Sequence, residues 1–346
     1  MDTNRKYLLV NRPRAEPSTS DFSLVEEPAG QPGEGQVVAR TIWLSVDPYM
    51  RGRMRPSRSY ADPAGLGEVM VGSGVGEVVA SRSPRFKPGD IVEGDFGWQT
   101  MPTIDADGLD LVDPELAPIS TALGVLGMPG MTAYFGFLEV GRPQPGDTVV
   151  VSAASGAVGG VVGQMARIGG NRVVGIAGSD AKREYCLQRL GYHACINRRE
   201  EDVGAALDRE CPNGIDVYFD NVGGPILDAV LQRINLGARI AICGMISEYN
   251  LPEPERAVRP TRALLSNRAT MQGLLVRDWW HLRQRGLSRL AGWIASGELY
   301  YREETVTGFE SMPQALIGLL EGENFGKRLV RVADPPPGVI AGGDAR

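Results

Sequence analysis

The pattern of hydrophobic and polar positions changes near residue 130, and it predicts two kinds of structure. Before that point, short hydrophobic runs are separated by Gly and Pro, for example at residues 36–46, 68–80 and 90–94. Short runs bounded by such turn residues are typical of β-strands. Amphipathic stretches of helical length are missing from this first part. We therefore predict an antiparallel, barrel-like β unit at the start of the chain.

After that change, apolar runs alternate with stretches of helical spacing. The predicted strands lie at residues 148–153, 172–177, 217–220, 239–244 and 271–276, and the predicted helices at residues 131–140, 158–168, 181–190, 225–234 and 279–296. Strands that are apolar throughout and alternate with helices indicate a parallel sheet covered on both faces. The pattern therefore predicts an α/β fold, in which a doubly wound parallel sheet follows the β unit.

The end of the chain returns to the pattern of the start. It contains a β segment at residues 300–307, a helix at 312–321 and a final strand at 327–332. The tail from residue 335 holds three prolines and three glycines, and we expect it to fray.

Composition and charge exclude two classes of partner. Hydrophobic residues make up 42% and charged residues 23% of the chain, which is typical of a globular protein. With 36 Lys and Arg against 42 Asp and Glu, the net charge of −6 does not suit a protein that binds nucleic acid by neutralising phosphates. The uncharged stretches at 116–138 and 148–166 contain Pro, Gly and polar residues where a membrane helix needs apolar ones. We predict neither a nucleic-acid partner nor a membrane.

Histidine and cysteine are too few and too scattered for a metal centre. The chain has two His and four Cys, and none of them has the spacing of a zinc site. We therefore expect no bound metal. Unclustered cysteines, and the lack of a signal-peptide core near the first residue, favour a reducing, cytoplasmic location.

The clearest chemical motif follows the first strand of the predicted parallel sheet, in the segment SAASGAVGGVVGQMA. The spacing Ala154-x-Gly156-x-x-Gly159 is the dinucleotide-binding fingerprint with its first glycine replaced by alanine. Gly156 would let the backbone approach a pyrophosphate, which the N–H groups and dipole at the helix start would bind. Gly159 would let the helix pack against the strand. Many tight strand–helix turns bind nothing, but this turn opens a βαβ series, which favours a dinucleotide site.

The end of the next strand indicates which dinucleotide binds. NAD-binding units place an Asp or Glu there to accept from the ribose hydroxyls. This chain has Ala177, Gly178 and Ser179 instead, followed by Asp180, which we expect to cap the next helix, and by Lys182. Small residues and a cation leave room for a 2′-phosphate and neutralise it, so the sequence predicts NADPH. The alternative is that Lys182 is one more solvated charge on a helix.

Two further loops follow predicted strands and would line the same crevice. Asp220 and Asn221 end one strand, and the loop from Cys243 to Asn250 follows another. In open parallel sheets, ligands bind outside the carboxyl ends of the strands. We expect Asp220 to cap its own loop and Cys243 to be a small core residue. A Tyr-x-x-x-Lys couple, a P-loop and a G-x-S-x-G elbow are missing from the sequence, so it offers no support for the enzyme classes that use them.

Seven blocks of the sequence together resemble one enzyme family. In order they are LSVDPYMRGRM, GVLGMPGMTAYFG, SAASGAVGGVVGQMA, VVGIAGSDAK, DVYFDNVGG, ICGMISEYN and GLLEGENFGKRLVRV. Extending over residues 44–332, they resemble the zinc-independent medium-chain dehydrogenase/reductases of the leukotriene/prostaglandin reductase and alkenal double-bond reductase group, above all its bacterial curcumin reductase type. The resemblance implies a GroES-like β-barrel domain (residues 1–128 and 305–346), a Rossmann NADPH-binding domain (129–304) and a homodimer. It also implies NADPH-dependent reduction of the C=C bond of α,β-unsaturated ketones or aldehydes.

The resemblance assigns residues to the cofactor site as well. The positions that match it are Met128, Thr132, Gly156, Ala157, Val158, Gly159, Ser179, Lys182, Asn221, Cys243, Gly244, Ile246, Ser247, Tyr249, Leu274, Leu275, Val276 and Asn324. One position departs from the family, because Arg198 stands where mammalian relatives have a tyrosine near the adenosine phosphate. Arg198 either binds that phosphate bidentately or is simply solvated.

A reduction without a metal needs another group to stabilise the negative charge that develops on the carbonyl oxygen. Hydride transfer to the β carbon produces an enolate, and a neutral hydroxyl is the natural donor. Tyr249 matches the tyrosine of the family's ISxYN loop, and a tyrosine phenol is protonated at neutral pH. It would act with the ribose hydroxyl of the cofactor, and either Tyr249 or water would protonate the α carbon. Tyr49 resembles a substrate-pocket tyrosine.

Three alternatives stay open at the level of the sequence. In the first alternative, Tyr249 is a structural residue that fills a domain interface. In the second, the protein transfers electrons from the same cofactor site to a quinone. In the third, it is a non-catalytic NADPH-binding protein of the crystallin type.

Overall fold

The computed structural model describes residues 2–57 and 59–343 of the chain. These residues form two compact units. The first unit joins the two ends of the chain, up to Gly124 and from Glu303 onward, and the second is continuous over Val125–Arg302. The first unit is therefore assembled from segments that are far apart in the sequence.

Strands and helices follow one another along the chain as short elements. The strands are β1 (Thr3–Leu9), β2 (Phe22–Pro28), β3 (Gln36–Ser45), β4 (Ser73–Ser81), β5 (Ile91–Asp95), β6 (Thr103–Asp105), β7 (Leu109–Leu111), β8 (Thr148–Ser152), β9 (Arg172–Ala177), β10 (Ala194–Asn197), β11 (Ile215–Asp220), β12 (Ile234–Ile242), β13 (Thr270–Gly273), β14 (Glu303–Thr307) and β15 (Lys327–Arg331). The helices are α1 (Tyr49–Arg53), α2 (Met128–Phe135), α3 (Gly159–Ile168), α4 (Asp180–Gln188), α5 (Val203–Glu210), α6 (Gly224–Leu231), α7 (Thr261–Asn267), α8 (Arg283–Ala295) and α9 (Met312–Leu320). Helix α2 continues into a π-helical segment, Gly136–Gly141.

The described part of the first unit is built on a β-sheet with strand order β14-β15-β3-β4-β5-β7, to which β6 adds by pairing with β3. Neighbouring strands are antiparallel, except that β14 and β15 are parallel. A hydrophobic core that includes Leu44 of β3, Val92 of β5 and Leu316 of α9 stabilises the unit. Strand β15 pairs with the end of β3, where Leu329 lies opposite Ser45. The predicted β unit is present, and the end of the chain completes it.

Residues 339–343, which we call the C-terminal strap, are bound to the first unit by hydrogen bonds. The indole N–H of Trp43 and the backbone N–H of Ser120 both donate to the carbonyl of Ala341, at 3.1 Å each. The N–H of Gly343 donates to Glu303 Oε2 at 2.9 Å. The φ of Gly343 is +91°, and a Cβ there would lie 2.4 Å from the Trp43 side chain, so glycine is required. The expectation of a frayed tail is wrong for these residues, and residues 344–346 lie outside the described ones.

Within the described residues, the second unit contains a six-stranded sheet with the order β10-β9-β8-β11-β12-β13. Every neighbouring pair in it is parallel. This is the order of a doubly wound nucleotide-binding sheet, and the direction of winding reverses between β8 and β11. All five residues of β8 are buried, in agreement with its apolar pattern. The predicted doubly wound parallel sheet is confirmed.

Three elements of the second unit escaped the sequence analysis, namely β10, α5 and α7. Strand β10 has four residues, too few to show a strand pattern. Helix α5 is capped by Asp202, whose carboxylate accepts from the N–H of Ala205 at 2.7 Å, and this capping signal was available in the sequence. Helix α7 has no fully buried residue, so no apolar stripe marks it.

Several predicted helices have different bounds in the structure, and two of them show the cause. The helix expected to reach residue 234 ends at Leu231, because β12 already begins at Ile234. The helix expected from residue 279 begins at Arg283, because Val276–Leu282 forms tighter 3-10 turns. Both corrections shift an element boundary and leave the order of elements unchanged.

Candidate active site

The glycine-rich turn between β8 and α3 takes the chain sharply from strand to helix. Strand β8 ends at Ser152, and α3 begins at Gly159. Ala153 has a φ of +48°, and its carbonyl accepts from the N–H of Gly156 at 2.9 Å. A Cβ on Gly159 would lie only 2.4 Å from that carbonyl oxygen, so this close approach requires glycine. The turn therefore ends at the start of α3, where a helix leaves its first N–H groups without internal acceptors.

The ends of β9 and β10 bring a serine, a lysine and an arginine to the same edge of the sheet. Ser179 is the N-cap of α4, and its Oγ accepts from the N–H of Lys182 at 3.4 Å. Arg198 follows β10, and its backbone N–H donates to the last carbonyl of β9 at 3.0 Å. The Arg198 guanidinium lies 3.8 Å from the position that a Cβ would take on Gly178. Partial burial lowers the pKa of Arg198, and the charge of Arg199 lowers it further.

Asp180 does not cap α4, contrary to the expectation from the sequence. Serine and aspartate are both good capping residues, and here the preceding Ser179 takes the position. Asp180 is the first residue of the helix, where its carboxylate accepts from Asn197 Nδ2 at 3.1 Å and pairs with Arg183 at 3.3 Å. The carboxylate is thus held by β10 and by its own helix.

Asp220, at the end of β11, organises the loop that follows it. Its Oδ1 accepts from the hydroxyl of Tyr218 at 2.8 Å and from the N–H groups of Val222 and Gly223 at 2.9 Å each. The residue is completely buried. Asp220 therefore caps its own loop, as expected from the sequence.

Ser152 fixes Asn221 from the end of the neighbouring strand. The Oγ of Ser152 accepts from the backbone N–H of Asn221 and its carbonyl accepts from Asn221 Nδ2, both at 2.8 Å. The same Oγ donates to Asp220 Oδ1 at 3.1 Å. The sequence analysis missed Ser152, although a polar residue that ends the apolar run VVVS was a signal for it. Asn221 consequently lies where β8 and β11 end, at the reversal of the strand order.

The loop after β12 is tied to the loop after β11. The N–H groups of Cys243 and Gly244 donate to the carbonyl of Asp220 at 2.8 and 3.0 Å, and Ser247 Oγ donates to the carbonyl of Val222 at 2.6 Å. Burial raises the pKa of Cys243 to about 12, and the negative charge of Asp220 contributes. This thiol stays protonated at neutral pH and is therefore a poor nucleophile.

Tyr249 lies in the same loop and turns its hydroxyl back over it. The hydroxyl oxygen accepts from the N–H of Met245 at 3.4 Å and lies 3.4 Å from the position of a Cβ on Gly244. Ile246, in the same loop, is tied to the loop after β11, because its N–H donates to the carbonyl of Asn221 at 3.4 Å. In the bond from Met245 the Tyr249 oxygen accepts, and the phenol O–H is a further group that can donate. The loop carries this hydroxyl at the carboxyl edge of the parallel sheet.

The other predicted cofactor contacts of the second unit lie on α2 and after β13. Met128 and Thr132 are one turn apart on α2, and Thr132 Oγ1 donates to the carbonyl of Met128 at 2.7 Å. Leu274 is buried against the π-helical segment that continues α2. Leu275 is 40% exposed, and Val276 is partly exposed. These five residues of α2 and of the segment after β13 are mainly apolar.

The structure places two of the predicted site residues, Tyr49 and Asn324, in the first unit, and all others in the second. Tyr49 begins α1 and forms a hydrogen bond with Ser73. Burial raises the pKa of Tyr49 well above its ordinary value, and the charges of Asp47 and Asp95 add to the shift, so the phenol stays neutral. Asn324 donates its amide Nδ2 to a backbone carbonyl of its own turn at 3.0 Å.

Metal-binding side chains do not cluster in the part of the chain that the structure describes. Among residues 2–57 and 59–343, no group of three or more His, Cys, Asp or Glu could hold a metal ion. The four cysteines are free thiols, and three of them are buried.

Comparison with known proteins shows similarity along nearly the whole chain. The family model described as "N-terminal domain of oxidoreductase" matches residues 5–112, and the one described as "Zinc-binding dehydrogenase" matches residues 157–292. The NADPH-dependent curcumin reductase of Escherichia coli is 43% identical over 95% of this chain and 97% of that protein. The 2-alkenal reductase (NADP(+)-dependent) of Nicotiana tabacum is also 43% identical, over 96% of this chain and 98% of that protein.

A solved structure is similar as well. CurA from Vibrio vulnificus, in complex with NADPH, is 42% identical and matches with a TM-score of 0.92 over 96% of this chain and 100% of that one. The chain belongs to the zinc-independent medium-chain dehydrogenase/reductases. The family resemblance seen in the sequence is confirmed, and so is the predicted fold class of a GroES-like domain with a Rossmann domain.

In this medium-chain reductase, the second unit by itself brings together most of the predicted site. The glycine-rich turn, the edge formed by β9 and β10, the loop after β11 and the loop after β12 all follow the carboxyl ends of parallel strands. The turn presents backbone N–H groups, the β9 and β10 edge presents the cations of Lys182 and Arg198, the loop after β11 presents the amide of Asn221, and the loop after β12 presents the phenol of Tyr249.

Proposed function

We propose that this protein reduces the carbon–carbon double bond of α,β-unsaturated ketones and aldehydes with NADPH. It is an NADPH-dependent oxidoreductase of the zinc-independent group, and its relatives include a curcumin reductase and a 2-alkenal reductase. The observation that carries the proposal is the hydroxyl of Tyr249 at the same sheet edge as the glycine-rich turn. A donor in that place can stabilise the negative charge that develops on a carbonyl oxygen.

The glycine-rich turn fits the pyrophosphate of the cofactor. A side chain at position 159 would have no space, because it would meet the carbonyl of Ala153. Ala157 and Val158 are partly exposed in the turn. N–H groups at a helix start bind phosphate oxygens, and the helix dipole favours their negative charge. We assign the turn to this contact.

The edge formed by β9 and β10 fits the 2′-phosphate. Lys182 and Arg198 supply positive charge there, and Ser179 supplies a hydroxyl. The sequence left two roles open for Arg198. Its guanidinium lies beside Gly178, next to the same strand end, and this position favours the phosphate contact.

The reaction we propose is hydride transfer to the β carbon of the substrate, followed by protonation of the α carbon. When bound, the cofactor supplies the hydride and a ribose hydroxyl. Tyr249 would donate a hydrogen bond to the carbonyl oxygen as negative charge develops on it, and Tyr249 or water would then supply the proton. The bonds from Cys243 and Gly244 to Asp220 hold the loop of Tyr249 in place for this role.

The family match supports roles for further residues. Tyr49, in the first unit, would contact the substrate as a neutral aromatic hydroxyl, because burial raises its pKa. The remaining cofactor contacts would be made by Met128, Thr132, Asn221, Ile246, Ser247, Leu274, Leu275, Val276 and Asn324.

Tyr249→Phe removes one hydroxyl and leaves the ring, so folding and NADPH binding should be nearly unchanged. Turnover should fall about tenfold to a hundredfold. Loss of one oxyanion donor can cost more, but the ribose hydroxyl and water partly replace it. Steady-state kinetics on a simple enone, together with NADPH titration by fluorescence, separates turnover from cofactor affinity. Wild-type turnover in this variant would remove Tyr249 from the catalytic residues.

A matched control for this variant is Tyr300→Phe. Tyr300 is an exposed tyrosine of the same unit, so its hydroxyl should affect neither turnover nor cofactor affinity. A loss of turnover in both variants would indicate a general effect of the substitution.

The proposed activity is tested by following NADPH oxidation with an alkenone and with a benzoquinone, with and without a metal chelator. We expect the saturated ketone as the product from the alkenone, at a rate that the chelator does not change. Consumption of NADPH with the quinone alone would favour a quinone oxidoreductase. Binding of NADPH without turnover across a broad enone panel would favour a non-catalytic role.

We also propose a homodimer in the cytoplasm. Strand β13 lies at one end of the sheet order of the described residues, and Leu265 on the preceding helix is 81% exposed. A strand at the end of a sheet and an exposed apolar side chain are both features that favour association. Light scattering should give twice the mass of the chain.

The proposed cytoplasmic location is supported by the cysteines, because free thiols at all four of them suit a reducing compartment. In the described residues, no helix combines the length and apolarity needed to cross a membrane.

A further inference from the structure

Tyr192 lies beneath the glycine-rich turn and is almost completely buried, with 4% of its surface exposed. Its hydroxyl donates to the carbonyl of Gly159 at 2.7 Å. The carbonyl of Ala154 lies 3.3 Å from the same hydroxyl oxygen. Ala154 stands near the beginning of the turn, and Gly159 is the first residue of α3. One hydroxyl therefore contacts both ends of the turn.

Two glycines make room for the ring of Tyr192. A Cβ on Gly163 of α3 would lie 2.0 Å from the ring carbon Cζ, and a Cβ on Gly175 of β9 would lie 3.0 Å from the ring. Neither glycine is among the positive-φ residues, so their backbone conformation does not require glycine. Glycine is required at both positions because the tyrosine ring occupies the space that a side chain would need.

The surroundings of Tyr192 keep its phenol neutral. Burial raises its pKa well above the ordinary value, and the neighbouring thiols of Cys186 and Cys195 act in the same direction. The hydroxyl therefore carries its proton throughout the neutral pH range and serves as a donor to the turn.

The bond geometry of the turn connects Tyr192 to the ligand side. The peptide bonds of the described residues are trans, so each C=O points opposite to the N–H of the next residue. When the carbonyl of Ala154 faces Tyr192, the N–H of Ser155 faces away from it. Fixing the carbonyl on one side of the turn thus fixes the direction of an N–H donor on the other side.

We propose that Tyr192 is a positioning residue that sets the shape of the pyrophosphate-binding turn from the side opposite the ligand. This inference rests on the proposed use of the turn to bind NADPH. It requires the hydroxyl to affect binding of the pyrophosphate, and to affect neither binding of the 2′-phosphate nor the chemical step.

The test is Tyr192→Phe, which removes the hydroxyl and keeps the ring between the two glycines. We expect the Kd for NADPH to rise about five- to twentyfold, since carbonyls of the turn lose a buried donor. The kcat at saturating NADPH should stay within about twofold of wild type. Affinity for adenosine 2′-monophosphate, which has the 2′-phosphate but no pyrophosphate, should not change. Both affinities are measured by titration without substrate.

Tyr134→Phe is the matched control, because Tyr134 is also a buried tyrosine of the second unit. It should leave both affinities unchanged. Equal weakening of both ligands by Tyr192→Phe would indicate general loosening of the unit, and an unchanged Kd for NADPH would show that the turn keeps its shape without the hydroxyl. Either result overturns the proposal. Because no substrate is present, a failure of enone reduction would leave the outcome of this binding test intact.

Discussion

Replacing Lys327 with methionine is expected to lower the free energy of unfolding by about 3–5 kcal/mol. Lys327 is 4% exposed, and its Nζ donates to Asp47 Oδ1 at 2.6 Å, to Ser45 Oγ at 2.5 Å and to the carbonyl of Val46 at 3.1 Å. Methionine keeps most of the side-chain length but removes the charge. Asp47, which is buried as well, then loses its cation. A buried charge left without its partner is the reason that breaking such a pair is costly.

Thermal or urea unfolding measures this loss, and the chain offers a matched control on the same strand. Arg331 pairs with Asp334 at 2.7 Å at an exposed position, and Arg331→Met should cost less than about 1 kcal/mol. Adding Asp47→Asn to Lys327→Met removes the second charge and should recover part of the stability. If Lys327→Met were no more destabilising than the control, the buried pair would not have the importance assigned to it.

Replacing Lys182 with alanine is expected to raise the KM for NADPH about ten- to a hundredfold and hardly change the weaker activity with NADH. A charge-assisted contact to a phosphate is worth about 1.5–3 kcal/mol, and each 1.4 kcal/mol is about a factor of ten. NADH has no 2′-phosphate, so it does not use this contact. Steady-state kinetics with the two cofactors at a fixed enone concentration measures the difference.

Arg183→Ala is the control for the lysine variant. Arg183 is the neighbouring cation on α4 and pairs with Asp180 at 3.3 Å at the surface. Its removal should change the KM for either cofactor by less than about twofold, because exposed pairs contribute little. Equal losses with NADPH and NADH in Lys182→Ala would assign the lysine a structural role and leave the cofactor preference unexplained.

The order of elements in the second unit could be predicted because its signals are local. Strand β9 has the bounds that its apolar run predicted. The fingerprint of Gly156 and Gly159 lies in the turn between β8 and α3, as predicted. Strand β10 was missed because four residues carry too little pattern. Local signals thus found the elements that are long or that carry a motif.

Contacts between distant residues could not be predicted from a local pattern. Lys327 and Asp47 are 280 residues apart in the sequence, and Tyr192 is 33 residues from the Gly159 carbonyl that it contacts. The expectation of a frayed tail was wrong for the strap for the same reason, because the Pro and Gly content of the tail from residue 335 predicts a loop but does not reveal the distant groups that bind it. The roles of Tyr249 and Arg198 depend on atoms of bound molecules, so they stay predictions.

During synthesis on the ribosome, β3 emerges long before β15, its neighbour in the sheet. Strand β3 ends at Ser45 and β15 begins at Lys327, so at about 5–20 residues per second β3 waits on the order of tens of seconds for that partner. The second unit, continuous over Val125–Arg302, can fold in this interval. Meanwhile the growing chain carries an open strand edge, which is a site of aggregation. Chains terminated after Arg302 and before β14 would contain the complete second unit but lack β14 and β15, so the defect would lie in the first unit.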